Sequence, residues 1–193
     1  MVNKLVFATN NPNKVAEIKK VLGNSFEVIS LKDAGIDIDI PEPYETLEEN
    51  AATKSNTIFT LTGNDCFSED TGLFVDSLNG EPGVKSARYA GEPASNKANI
   101  DKLLFNLDKN ENRKARFRTV ISLIANGKEF QFEGICEGTI LPEPVGEKGF
   151  GYDSLFMPHG SEKSFAEMEM EEKNIYSHRK KAVAKLVAFL SKK

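Results

Sequence analysis

Cys66-Phe-Ser-Glu-Asp-Thr-Gly-Leu-Phe-Val75 sets two adjacent carboxylates, Glu69 and Asp70, inside an otherwise apolar run. Apolar stretches of this kind read as buried strands, and a charge taken out of water without a partner is costly. Thr71-Gly72 is expected to bend the chain sharply, because glycine reaches conformations closed to other residues. The carboxylates would then sit on a bend between two strands. Their natural partner is a hard cation such as Mg²⁺, which takes oxygen ligands and keeps several waters. The plainer alternative is an acidic surface turn, and this stretch alone leaves both open.

With 193 residues, 39% of them hydrophobic, the chain is long enough for one sizeable core. We expect a single domain over 1–193, built as two lobes. No apolar run approaches the roughly 20 residues a membrane span needs. Met1-Val-Asn-Lys leads straight into a short apolar strand, so neither a leader nor a membrane is expected. Cys66 and Cys136 lie far apart with no Cys-x-x-Cys pair, which argues against a disulfide framework or a zinc site and fits the cytoplasm. The formal charge of −4 argues against nucleic acid as a partner. A polyanionic ligand would need local cations and a metal ion to overcome that field.

The chain opens on a buried strand, Lys4–Ala8, followed by the turn Thr9-Asn-Asn-Pro-Asn-Lys14. Helical spacing of Val15, Ile18 and Leu22 begins at once. A strand–polar loop–helix arrangement aims backbone N–H groups at an anion, and Lys14 adds a full charge. The glycines of a Walker loop are missing. A capped helix with a solvated lysine explains the same residues. Glu27–Ser30 reads as a second strand, with Leu31–Ile40 irregular. Pro41 and Pro43 stiffen the chain around Glu42 and present its carboxylate, as a loop charge or a metal ligand. Thr46-Leu-Glu-Glu49 is a capping box opening a helix to about Leu61, with Asn50 and Lys54 one turn apart; most helical lysines are solvated, so Lys54 alone carries little weight.

Asn79–Gly91 is too polar and glycine-rich for a core strand and reads as a binding loop carrying Ser86 and Arg88. Ile100, Leu103, Leu104 and Leu107 mark an amphipathic helix. Phe117–Ala125 and Glu129–Cys136 form a hairpin around Asn126-Gly127, and Gly138–Leu141 is expected as a third strand. In Gly149-Phe-Gly-Tyr-Asp153 the glycines allow a ligand close to the backbone, and Phe150 and Tyr152 offer stacking faces. An aromatic-anchored turn is the alternative. Ser177 is placed to cap a last helix whose stripe is Val183, Leu186, Val187 and Leu190. His178 and Arg179 then stand in its first turn, where cations are disfavoured unless an anion or acceptor faces them.

Six motifs, taken together and in order, resemble one family along nearly the whole chain. They are Thr9–Lys14, Glu49-Asn-Ala51 with Lys54, Ser68–Gly72, Pro82–Arg88, Phe150–Asp153, and Glu172-Lys-Asn174 with Ser177-His-Arg179. The chain resembles the inosine triphosphate pyrophosphatases, which hydrolyse non-standard purine nucleoside triphosphates to the monophosphate and pyrophosphate. The resemblance implies an α/β fold with a long mixed central sheet, flanking helices, two lobes around a nucleotide cleft, and a homodimer. It assigns phosphate contacts to Thr9, Asn10, Asn11, Lys14 and Lys54, with Thr71, Ser86 and Arg88 also in the substrate set. Asp70 becomes the catalytic carboxylate, and Mg²⁺ is assigned to Asp70, Glu42 and Glu69. The base falls to Phe150, Gly151, Tyr152, Asp153, Lys173, His178 and Arg179. Glu69-Asp-Thr-Gly72 departs from the Asp-Asp-Ser-Gly of many bacterial relatives, which leaves the division of metal ligation open. Two rivals stand beside this reading: a pyrophosphatase for modified pyrimidine nucleotides, and a non-catalytic nucleotide-binding module. The carboxylate pair argues against the second, since without a metal it repels phosphate.

Overall fold

Strand β1 (Asn3–Phe7) feeds helix α1 (Pro12–Leu22), and the chain returns as β2 (Phe26–Ser30), parallel to β1 with Leu5 opposite Val28. The computed structural model describes residues 3–22 and 26–192. Helix α2 (Leu47–Thr62) precedes β3 (Cys66–Val75), which lies parallel to β1 with Phe7 opposite Phe67. The short β4 (Pro82–Gly83) pairs antiparallel with β3. Helix α3 (Asn96–Asn106) leads to β5 (Lys114–Ala125) and β6 (Lys128–Ile140). Strand β7 (Phe156–Pro158), antiparallel to β6, and helices α4 (Met170–Tyr176) and α5 (His178–Leu190) complete the chain. The mixed sheet runs β2-β1-β3-β5-β6-β7, with β4 attached to β3.

Contacts divide the chain into two units. One comprises Met1–Asp70, Thr119–Gly134 and Arg179–Lys193; the other comprises Thr71–Arg118 and Ile135–His178. The first buries Phe7 and Phe67 as a parallel stack, ring centroids 4.5 Å apart, with Ile18, Ile121, Leu123, Val183 and Leu186 around them. A second cluster in that unit joins Leu31, Ile58, Cys66 and Ile124. The second unit closes on Leu73, Leu103, Leu107, Phe117, Phe156 and Phe165.

Asn126 and Gly127 both take positive φ, 51° and 71°, so the β5–β6 turn has the primed geometry that an Asn-Gly pair favours. Two expectations need correction. Cys66–Val75 is one unbroken strand rather than two strands about a bend. Gly72 serves close approach instead: a Cβ there would lie 2.5 Å from the Gly83 carbonyl oxygen of β4. Gly138 belongs to β6 rather than to a separate third strand, and a Cβ on it would meet the Met157 carbonyl oxygen of β7 at 2.5 Å. Both cysteines are buried, and neither is in a disulfide. Among the described residues no helix is long and apolar enough to cross a membrane.

Candidate active site

Successive side chains of a strand point to opposite faces, so Glu69 and Asp70 of β3 need not share partners. They do not. Asp70 belongs to a cluster with Lys54 of α2 and Glu42 of the preceding loop. Thr46 caps α2, accepting from the Glu49 N–H at 3.2 Å and donating to the Glu49 carboxylate at 2.7 Å, which fixes the helix start two turns before Lys54. Lys54 Nζ donates to Glu42 Oε1 at 2.5 Å and to Asp70 Oδ1 at 2.9 Å. Sequence reasoning gave Lys54 little weight as a helical lysine, yet it is 7% exposed.

Burial works against the Lys54 ammonium, but the charges of Asp70 and Glu42 outweigh it and hold its pKa above the usual lysine value. Burial also pushes the Asp70 carboxyl upward. Lys54 and Lys14 pull the other way, Glu42 adds to the rise, and the net direction is up. Two carboxylates share one ammonium here, so with all three ionised the cluster carries a surplus negative charge. Asp70 Oδ2 is buried with no hydrogen-bond partner. A buried charged oxygen without a partner is the kind of orphan that a ligand, ion or water fills.

Glu69 is tied off differently. Arg179 of α5 grips it bidentately, Nε to Oε2 and Nη2 to Oε1, both at 2.8 Å. Lys14 Nζ stands 3.2 Å from Oε1, and Arg179 Nη1 donates to Glu17 of α1. Two cations meet two anions, so this group is neutral overall. Burial alone would raise the Glu69 pKa, but Arg179 and then Lys14 bring it well below the usual carboxylate range. The Arg179 guanidinium, disfavoured by burial, is driven higher still by Glu69 and Glu17. Arg179 is thus engaged by carboxylates on three of its N–H-bearing atoms. Sequence reasoning passed over Glu17; its position three residues after Lys14, on the same helix face, was the available signal.

The Thr9–Lys14 loop is largely self-satisfied. Asn11 Oδ1 accepts from the N–H groups of Asn13 (3.0 Å) and Lys14 (3.3 Å), capping α1, while Thr9 Oγ1 accepts from the Asn11 N–H. Asn10 Nδ2 donates to the Ile38 carbonyl at 2.9 Å. The first-turn amides expected to meet an anion are therefore filled by the cap, and Lys14 is left as the loop's charge.

In the second unit, Lys173 Nζ donates to Asp153 Oδ2 at 2.8 Å, and the Phe150 N–H donates to the same oxygen at 2.9 Å. Gly149 at φ 76° leaves room for that carboxylate, so the close approach it permits is intramolecular. Lys173 Nζ lies 5.6 Å from the half-buried Phe150 ring. Tyr152, expected as a stacking face, is 4% exposed and donates to the Ser86 carbonyl at 2.9 Å, so it anchors the loop. Ser86 Oγ accepts from the Leu73 N–H and donates to the Gly83 carbonyl, a scaffold role. Its neighbour Arg88 is half-buried, and Gly151 takes φ 61°. Thr71 is half-buried in β3. His178 is buried and stacks on Phe117, centroids 4.7 Å apart and planes within 14°.

No group of three or more His, Cys, Asp or Glu able to enclose a metal ion is present among the described residues. Glu42 and Asp70 instead suit a hard divalent cation, which commonly takes one or two protein carboxylates and completes its shell with water and substrate phosphates. The open Asp70 Oδ2 fits that demand, whereas the Glu69 oxygens face Arg179 and Lys14.

The model of the Ham1 family matches residues 5–189. The chain belongs to that family. It is 52% identical to the dITP/XTP pyrophosphatase of Christiangramia forsetii, over 98% of this chain and 100% of that protein. The protein of the same name from Porphyromonas gingivalis is 51% identical, covering 98% of each. Among solved structures, the Staphylococcus aureus Ham1 protein matches with TM-score 0.89 at 38% identity over 98% of both chains. A Coxiella burnetii HAM1 protein matches with TM-score 0.90 at 34% identity over the full length of both. The Ham1 fold and the family resemblance read from the motifs agree.

Proposed function

We propose that this Ham1 chain hydrolyses non-standard purine nucleoside triphosphates (inosine, deoxyinosine and xanthosine triphosphate) to the monophosphate and pyrophosphate. The observation that carries this reading is the Glu42–Lys54–Asp70 cluster, with its surplus negative charge and the open Asp70 Oδ2. The names of the half-identical relatives support the same chemistry. Phosphoanhydride hydrolysis asks for charge neutralisation and an aligned water more than for covalent chemistry.

Asp70 Oδ2 is the acceptor that orients the attacking water and draws its proton, a role suited to a carboxyl whose proton affinity burial has raised. Lys54 keeps the Asp70 carboxylate in one orientation through Oδ1 and leaves the lone pairs of Oδ2 to be divided between that water and the ion. Glu42 and Asp70 would hold the divalent ion, which we take to be Mg²⁺. When bound, such an ion neutralises charge on the phosphate oxygens. Lys14, 17% exposed at its side chain, is the cation we assign to the phosphates, while Glu69 keeps it in place between turnovers. Lys54 contributes its charge to the same end of the substrate.

For the base, Phe150 supplies the stacking face and Lys173 the donor, with Asp153 fixing both. Hypoxanthine and xanthine carry a 6-oxo acceptor where adenine carries an amino donor. A buried donor therefore pairs with the former and is left unpaired by the latter. Arg179, engaged by Glu69 and Glu17, is better suited to holding Glu69 than to reaching a base. We further propose a homodimer, to be checked by sedimentation, and a cytoplasmic location, which suits two cysteines outside any disulfide.

The test is a panel of inosine, xanthosine, adenosine, guanosine and methylated-uridine triphosphates with Mg²⁺, read by pyrophosphate release. Turnover of the first two well above the rest is expected. Preference for the pyrimidine nucleotide, or tight binding without product, would replace this reading.

A further inference from the structure

Asn50 is 1% exposed, and both ends of its side-chain amide are bound to one backbone residue. Its Oδ1 accepts from the Tyr44 N–H at 3.0 Å, and its Nδ2 donates to the Tyr44 carbonyl at 3.0 Å. The pair reproduces the two-bond exchange made by facing residues of antiparallel strands. The Tyr44 ring does not share the task, since the residue is 44% exposed. Two positions upstream stands Glu42, between Pro41 and Pro43. Each proline fixes its own φ and restricts its predecessor, so a backbone held at Tyr44 leaves Glu42 little slack. One helical turn beyond Asn50, on the same face of α2, stands Lys54, which receives the Glu42 carboxylate at 2.5 Å. Helix α2 thus grasps the 41–44 segment twice, through an amide on its backbone and an ammonium on its carboxylate.

We propose that Asn50 is a positioning residue that sets Glu42 against Lys54 and Asp70, and so tunes the affinity of the Glu42–Asp70 pair for a divalent ion. The metal half of this proposal rests on the pyrophosphatase reading; the backbone half does not. The residue type follows from the geometry. Aspartate lacks the donor for the Tyr44 carbonyl and sets an anion beside it. Glutamine is one methylene too long, and alanine leaves two part-buried backbone groups without their partner.

The experiment compares Asn50→Ala and the isosteric Asn50→Asp with wild type in two assays. Amide hydrogen exchange at Tyr44 is followed first, against amides within α2. The dependence of inosine triphosphate hydrolysis on Mn²⁺ concentration is followed second, alone and combined with Glu42→Gln. The expected result is exchange at Tyr44 faster by roughly tenfold in Asn50→Ala, with α2 protected as before, and a smaller change in Asn50→Asp, whose carboxylate still accepts the Tyr44 N–H. The Mn²⁺ concentration for half-maximal rate rises by roughly tenfold, and Glu42→Gln adds little to either variant, as coupled residues behave. Unchanged exchange at Tyr44 in Asn50→Ala overturns the proposal. Faster exchange with an unaltered Mn²⁺ requirement, or losses that add fully to those of Glu42→Gln, also overturns it by making Asn50 a stability residue only. A wild-type protein inert towards inosine triphosphate would instead refute the pyrophosphatase reading, and exchange at Tyr44 would still decide whether Asn50 holds the segment.

Discussion

Replacing Asp70 with asparagine separates function from stability in a way the cluster geometry makes quantitative. The folded protein raises the proton affinity of this carboxyl, through burial first and Glu42 as well. A group with a raised folded pKa favours the fold below its ordinary value of about 3.9 and opposes it once pH climbs through the folded value. At neutral pH the ionised Asp70 therefore costs stability, and Asp70→Asn removes that cost. The hydrogen bond from Lys54, now 2.9 Å from Oδ1 and weakened in the variant, is already counted in that net direction. A bond to a charged group is worth about 1.5–3 kcal/mol, and the amide oxygen retains part of it. Lys54 also keeps Glu42 as counter-charge. The variant is therefore expected to be no less stable than wild type in urea unfolding. Turnover should fall by about 10²–10⁴, the usual worth of a positioned general base, or about 3–5 kcal/mol of barrier. Pyrophosphate release from inosine triphosphate measures it. Near-wild-type turnover would remove Asp70 from the chemistry, and destabilisation by several kcal/mol would show that its carboxylate holds the fold.

The partner carboxylate should behave in the opposite way. Glu69→Gln strips Arg179 and Lys14 of a shared buried anion and is expected to cost about 3–5 kcal/mol in urea unfolding. Because the folded protein depresses the Glu69 pKa, its contribution is present above the ordinary carboxylate value of about 4.3 and is lost as pH falls below it, so the variant should show a shallower acid limb of stability against pH. Gly72→Ala drives a methyl towards the Gly83 carbonyl at 2.5 Å and should cost about 1–3 kcal/mol by the same measurement.

Local signals in the sequence translated directly where short-range chemistry decides. The Thr46–Glu49 box caps α2, Asn126-Gly127 turns the β5–β6 hairpin, and the apolar run at Lys4–Ala8 is largely β1. Reading went astray where the partner lies far along the chain. Gly72 looked like a turn because the β4 carbonyl that excludes a Cβ at that position cannot be seen from its neighbours. Lys54 looked solvated because its two carboxylates come from other elements. Glu69 and Asp70 looked like one metal-binding pair, but strand alternation separates them. One is neutralised by Arg179 and Lys14, and the other is left with an open oxygen. Tyr152 looked like a stacking face because nothing local reveals the Ser86 carbonyl that holds its hydroxyl. The pairings among these side chains emerge only from the packing.

The most direct measurement is initial-rate pyrophosphate release by the wild-type chain from inosine triphosphate and from adenosine triphosphate, with and without Mg²⁺. Metal-dependent release from the inosine nucleotide, with adenosine triphosphate cleaved far more slowly, is the predicted result. Equal rates on both nucleotides, or no pyrophosphate from either, would contradict the account.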